Sequence, residues 1–233
     1  MGTYVIAGGS SGIGLGLVKK LSAEGHQTIV LSRTSENLQG IPGVAHLQVD
    51  LANEDVSKES LPEKIDGLAY CPGSLNLRSF RSLKPEIFRD DFEINVVGAV
   101  KVAQAALSGL KASDQSTSSI LMFSTVAVGR GMPMHASIAV SKGAIEGLVR
   151  SLAGELAPKI RVNCLAPALT DTPLASRFFS DATKAAAMGE KYPLKRTGTV
   201  DDLAEFGKFL LSPSSDWVTG QVIGVDGGMS TLL

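Results

Sequence analysis

The sequence predicts an α/β protein: a single doubly wound domain over residues 1–233, with a mostly parallel seven-stranded sheet and helices on both faces. Three observations carry that expectation. Short apolar runs rich in β-branched residues alternate with longer amphipathic stretches, the pattern of β-α-β units. The runs are apolar throughout rather than at every second residue, as strands buried on both faces must be. A glycine-rich turn joins the first run to the first amphipathic stretch.

In chain order, "TYVIAG" (3–8) reads as the first strand and 12–24 as the helix after the glycine turn. "QTIVLS" (27–32) is the second strand, followed by a polar loop at 33–43. "AHLQVD" (45–50) and "DGLAYC" (66–71) are the third and fourth. A loop at 74–84 leads into a helix over 86–110, and the polar stretch 112–119 is a further loop. "SILMFS" (119–124) is the fifth strand, and a long helix over 137–157 precedes "IRVNCLA" (160–166). A helix at 200–211 and the strand "GQVIGVD" (220–226) close the chain. The segment 171–199 has mixed periodicity and follows a strand's carboxyl end, where open α/β sheets place ligands, so 172–195 is expected to be a mobile substrate flap.

Composition narrows the possible functions. Of the 233 residues 44% are hydrophobic and 19% charged, enough to bury a full core. The net charge is −1 and no basic block occurs, which argues against a nucleic-acid or anionic-membrane partner. Cys71 and Cys164 form no CxxC or metal-ligand spacing, so two thiols in a reducing compartment are expected, and no metal site. A strand begins by residue 3, leaving no room for a signal peptide, and no apolar stretch reaches ~18 residues. The expectation is a soluble, cytoplasmic protein.

The turn "AGGSSGIG" (7–14) places glycines at 8, 12 and 14. Their tasks are a tight turn, close backbone approach to a pyrophosphate, and close packing of helix on strand. The helix start then offers free N–H groups and a positive dipole end to phosphate. This is the signature of a Rossmann-type dinucleotide site. Strand two ends in Ser32 and Arg33 rather than in an acid. An arginine pairs with a 2′-phosphate that a carboxylate would repel, which favours NADP(H) over NAD(H). Asp50 either accepts from an adenine amino group or caps its strand.

These motifs resemble the short-chain dehydrogenase/reductase family along almost the whole chain. "AGGSSGIG" resembles that family's TGxxxGIG, and "FEINVVGAV" (92–100) its helix with the catalytic asparagine, here Asn95. "ILMFSTVAVG" (120–129) resembles the strand that ends at the catalytic serine, here Thr125. "SIAVSKGAIEGLVRSLAGELAP" (137–158) is similar to the active-site helix with its lysine, Lys142, and "RVNCLAPALTDT" (161–172) to RVNxxxPGxxxT. "WVTGQVIGVDGG" (217–228) resembles the closing strand. The resemblance implies a cofactor site at Gly8, Ser10, Ser11, Gly12, Ile13, Gly14, Ser32, Arg33, Asp50, Leu51, Gly73, Asn95, Lys142, Pro167, Thr170 and Thr172.

Two departures stand out. The family's NNAG maps onto Tyr70, Cys71, Pro72 and Gly73, and only the glycine is kept. The position of the family's proton-donating tyrosine, four before Lys142, holds Ile138. Lys142 still suits the nicotinamide ribose. Loss of a positioned acid costs about 10²–10⁴ in rate. His135, seven before Lys142, matches the tyrosine spacing of the enoyl-acyl-carrier reductase branch and titrates near neutrality; it is either a substitute acid or part of the loop that starts the helix. Thr125 can support an oxyanion, whereas Ser124 is expected to face the other side of its strand.

Two functions follow. One is an NAD(P)-dependent oxidoreductase acting on a small carbonyl, alcohol or activated alkene with a non-standard acid. The other is a non-catalytic NAD(P)-binding sensor or a regulatory or structural subunit. The resemblance also implies a homodimer or homotetramer, with the apolar C-terminal residues packing on a neighbour.

Overall fold

The computed structural model describes residues 1–232; Leu233, part of the C-terminal stretch expected to meet a neighbouring subunit, lies outside the described residues. Seven strands are present: β1 (Thr3–Ala7), β2 (Gln27–Ser32), β3 (Val44–Gln48), β4 (Gly67–Tyr70), β5 (Ser118–Phe123), β6 (Ile160–Pro167) and β7 (Val222–Val225). Their order is β3-β2-β1-β4-β5-β6-β7. Every neighbouring pair is parallel, so the sheet is wholly rather than mostly parallel. The chain runs outward from β1 to β3, then returns to lay β4 against the other side of β1. The crevice at this reversal lies beyond the carboxyl ends of β1 and β4, where open α/β sheets bind ligands.

Two helical layers explain why the strands are apolar at every position. Val5, Leu68, Ile120 and Val162 pack with Val102, Ala106 and Leu110 of α3 (Gly98–Lys111) and with Ile145 and Val149 of α5 (Ala136–Leu156). Their strand neighbours Ile6, Ala69, Leu121 and Leu165 pack on the opposite face. There they meet Leu17 and Leu21 of α1 (Gly12–Ala23) and Leu203 and Leu210 of α7 (Val200–Leu211). Each such leucine or isoleucine contributes about 1.5–3 kcal/mol on burial.

The helix expected over 86–110 is in fact two helices joined by a wider turn. α2 (Pro85–Phe92) gives way at Glu93–Val97 to one π-helical turn before α3 begins. The cause lies on β4. The Tyr70 hydroxyl donates to the Ile94 carbonyl at 2.6 Å, and a Cβ on Gly98 would stand 2.3 Å from that hydroxyl. A side chain inserted into a helical ladder is a known source of such a distortion. The connection from β3 to β4 carries only a short 3₁₀ turn, Lys58–Ser60, and no α-helix. Two short helices were not expected: α4 (Val126–Arg130), after β5, and α6 (Ala182–Gly189), within the flap. Among the described residues no helix is long and apolar enough to cross a membrane, and no group of His, Cys, Asp and Glu could hold a metal ion.

Candidate active site

The site is built on two structures at the carboxyl edge of the sheet: the glycine turn after β1 and the start of α5. Gly8 and Gly12 take φ of +73° and +52°, a region that side chains strain to adopt. Gly14 meets the strand so closely that a Cβ there would lie 2.3 Å from the Gly8 carbonyl oxygen. Ser11 is the residue preceding α1, yet its hydroxyl makes no capping bond, and the first turn holds no acidic residue. The first N–H groups of α1 are thus left without a side-chain acceptor, as an anion site requires. Ser10 offers its backbone to the outer loop, its carbonyl accepting from Asn37 Nδ2 at 3.1 Å. These features fit a dinucleotide pyrophosphate.

At the ends of β2 and β3 the expected residues divide by exposure. Arg33 is exposed, whereas Ser32 is buried and its hydroxyl donates to the Thr34 carbonyl at 2.8 Å, beside His46 Nε2 at 3.0 Å. Asp50 accepts from the Ala52 amide at 3.2 Å and from Asn53 Nδ2 at 3.0 Å, bonds that fix the turn after β3. Those bonds, Asn53 first, hold its carboxyl below the usual range, and the Arg33 charge lowers it further. Leu51 is buried behind it.

Between β4, β5, β6 and the flap lies a cavity of 400 Å³. Lys142, on α5, lines it while only 8% exposed. Burial draws its ammonium down to about 8, and Cys164, Cys71 and Asp91 act to raise it. Gly73 is the meeting point of the site: a Cβ there would stand 3.3 Å from Asn95 Oδ1 and 3.4 Å from Lys142 Nζ. Asn95 sits in the π-helical turn, fully buried, its Nδ2 donating to the Asp91 carbonyl at 2.7 Å and to Ser74 Oγ at 2.8 Å. Its Oδ1 has no partner among the described residues.

Ile138 lies one turn before Lys142 on α5, 3% exposed, and lines the same cavity. It offers that wall no polar group. Thr125 precedes α4 and accepts weakly from the Ala127 amide at 3.3 Å, so its own proton stays free to face the cavity. Ser124, expected to face away, also lines the cavity, and its hydroxyl donates to Glu146 Oε1 at 2.7 Å. His135 immediately precedes α5 and lines the cavity, with Nδ1 2.7 Å from the Pro133 carbonyl oxygen. That contact assigns the ring's hydrogen to Nδ1 and leaves Nε2 unprotonated in the neutral form.

The last strand-end loop closes the site. Pro167, Thr170 and Thr172 all line the cavity. Thr170 pairs its backbone with Gly198 and donates through Oγ1 to the Ala168 carbonyl at 3.1 Å. Thr172 lies 3.7 Å from where a Gly12 Cβ would stand, which brings this loop over the glycine turn. The flap then lays a 3₁₀ segment (Pro173–Phe178) and α6 beside the cavity, contributing Leu174, Phe178, Met188 and Lys191 to its walls. Sequence reasoning missed Tyr192, a buried flap residue whose hydroxyl accepts from the Leu169 amide at 3.2 Å and whose burial raises its pKa. It also missed Asp91 and Ser74 beneath Asn95. Cys71 lines the cavity as a neutral thiol, pushed up to about 12 by burial.

The chain is similar to known proteins along nearly its whole length. A family model described as enoyl-(acyl carrier protein) reductase matches residues 7–230. L-xylulose reductase of Bos taurus is 33% identical over 231 residues, covering 96% of this chain and 94% of that protein. The 3-oxoacyl-acyl-carrier-protein reductase of Thermotoga maritima is 30% identical over 240 residues, covering 97% and 96%. Among solved structures, the aldohexose dehydrogenase of Thermoplasma acidophilum superposes with a TM-score of 0.88 at 26% identity, covering 98% of this chain and 94% of that one. The chain belongs to the short-chain dehydrogenase/reductase family of oxidoreductases.

Proposed function

We propose that this chain is an NADP(H)-dependent reductase of a small, apolar carbonyl compound or activated alkene, working without the family's tyrosine. The observation that carries the reading is the convergence of Lys142 and Asn95 on Gly73, at the base of an apolar cavity that adjoins an uncapped helix start. The N–H groups of α1 would hold the pyrophosphate, Arg33 the 2′-phosphate, Lys142 the nicotinamide ribose, and Pro167, Thr170 and Thr172 the nicotinamide end. When bound, the nicotinamide supplies the hydride.

The chain's own residues supply orientation and charge. Leu75, Leu77, Val126, Met132, Leu169 and Met229 exclude water from the cavity and match an apolar substrate better than a polyol, whose hydroxyls would lose their hydrogen bonds there. L-xylulose reductase is named for a sugar; this cavity argues for a different substrate. Thr125 donates to the substrate oxygen. His135 hands over a proton from Nε2 when its ring is doubly protonated. The flap, 172–195, closes over the substrate. Family membership carries two further expectations, a homodimer or homotetramer and action in the cytoplasm.

Fluorescence titration with NADPH and NADH, followed by turnover on a panel of aliphatic ketones, aldehydes and enones, tests the reading. The expected result is tighter NADPH binding and turnover that survives in Ile138→Ala but falls in Lys142→Ala. Binding without turnover on any member would favour the sensor reading, and Ile138, which leaves the wall without a proton, is the feature that would explain it. No binding of either nucleotide would overturn both.

A further inference from the structure

Joined by hydrogen bonds to the corner that Asn95 shares with Lys142 lies a carboxylate that the reading above does not use. Asp91, in the last turn of α2, is fully buried. Its Oδ1 accepts from Ser74 Oγ at 2.5 Å and from Asn76 Nδ2 at 2.7 Å. Its Oδ2 has no partner among the described residues. The Ser74 hydroxyl in turn accepts from Asn95 Nδ2 at 2.8 Å, so a continuous chain runs from Asp91 through Ser74 to Asn95, whose free Oδ1 lies with Lys142 Nζ around Gly73. A buried carboxylate satisfied on one oxygen alone is costly unless a cation lies in reach.

We propose that Asp91 is a positioning residue for Lys142: a buried counter-charge, fixed by Ser74 and Asn76, that keeps the ammonium charged in a cavity that lacks the tyrosine. The inference rests on the proposed nicotinamide site, where Lys142 must stay cationic to hold the cofactor. The other titratable groups facing Lys142 cannot do this. Cys71 beyond β4 and Cys164 on β6 are neutral thiols, each pushed up to about 12 by burial. Glu146, one turn further along α5, spends its carboxylate on Ser124 and Arg150. His135, Lys191 and Tyr192 border the same cavity and bring no negative charge at neutral pH. Asp91 is the carboxylate tied by hydrogen bonds to Asn95, which shares the Gly73 corner with Lys142.

The test is Asp91→Asn, which keeps an acceptor for Ser74 and Asn76 and removes the charge. The protein is labelled with ¹³C-lysine, and the Lys142 Cε signal, assigned by its loss in Lys142→Arg, is followed with pH in the cofactor-free protein. An anion favours the charged ammonium, so its removal is expected to move the Lys142 midpoint down by about one pH unit. Asp91→Glu is expected to hold the midpoint near its original value. The alkaline limb of NADPH affinity, read by fluorescence, moves down with the midpoint in Asp91→Asn. Should Asp91→Asn fail to fold, Asp91→Ser, neutral and smaller, gives the same reading. An unchanged Lys142 midpoint in the neutral variant overturns the proposal. The lysine titration needs no cofactor, so a wild-type protein that binds no NADPH would sink the proposed function while leaving this test in force.

Discussion

At Ile138 the cavity wall carries methyl groups one helical turn from a buried ammonium, and chemistry at this residue must be explained by its neighbours. Ile138→Tyr places a phenol where Lys142 can lower its pKa, and ketone reduction is expected to rise by about 10²–10⁴. Steady-state rates of the two proteins with NADPH check this; no gain would mean that the site lacks more than an acid. Arg33 acts at the other end of the cofactor. Arg33→Ala is expected to weaken NADPH by roughly 1.5–3 kcal/mol, about 10- to 150-fold, and leave NADH nearly unchanged, which a paired titration measures. Lys142, Asn95, Thr125 and Ile138 were legible because the segments that carry them resemble the family's motifs. Asp91, Ser74 and Tyr192 were not, because each acquires its role from a residue on another element, and spacing along the chain does not encode that contact.

Among the elements, the junction of β1 with α1 bears most directly on cofactor binding. Gly14→Ala drives a methyl into the Gly8 carbonyl at 2.3 Å, which the backbone can relieve only by lifting the helix from the strand. Overpacking of this kind costs about 1–3 kcal/mol in stability, and nucleotide binding is expected to fall with it. Thermal unfolding and NADPH titration of the variant read the two effects separately. A variant that bound NADPH normally would show that the tight approach is not needed. The sequence marked this turn well, since glycine spacing is a local signal. It did not mark the π-helical turn at Glu93–Val97, because the Tyr70 hydroxyl that widens the helix comes from β4. Nor did it mark α4, a five-residue helix too short to show a periodicity.

For the whole molecule, the buried lysine sets a conflict between stability and function. Its value of about 8 lies below the ordinary lysine value of 10.5. Folding therefore weakens its hold on a proton, and the unfolded chain binds more protons between those two pH values. The sign follows: stability of the cofactor-free protein rises with pH from about 8 to 10.5 and is lower by roughly 3 kcal/mol below that window. Lys142→Met combined with Asp91→Asn removes both buried charges, and the cofactor-free double variant is expected to melt ~5 °C higher at pH 7 while binding NADPH more weakly. Calorimetry with and without NADPH checks both. The sheet that frames this conflict was readable from strands apolar at every position, whereas the wholly parallel pairing depended on where β7 joined, beside β6.

On the proposed function, the cavity transfers a hydride from NADPH with Ile138 at the position where the resemblance leads one to expect a tyrosine. The most direct measurement is a reaction of the protein with NADPH deuterated at both C4 positions and the ketone, aldehyde and enone panel, with products read by mass spectrometry. The account predicts one deuterium in a product of an apolar substrate, and much less of it with Lys142→Ala. NADPH that binds yet delivers deuterium to no member of the panel, while Ile138→Tyr does deliver it, would contradict the account.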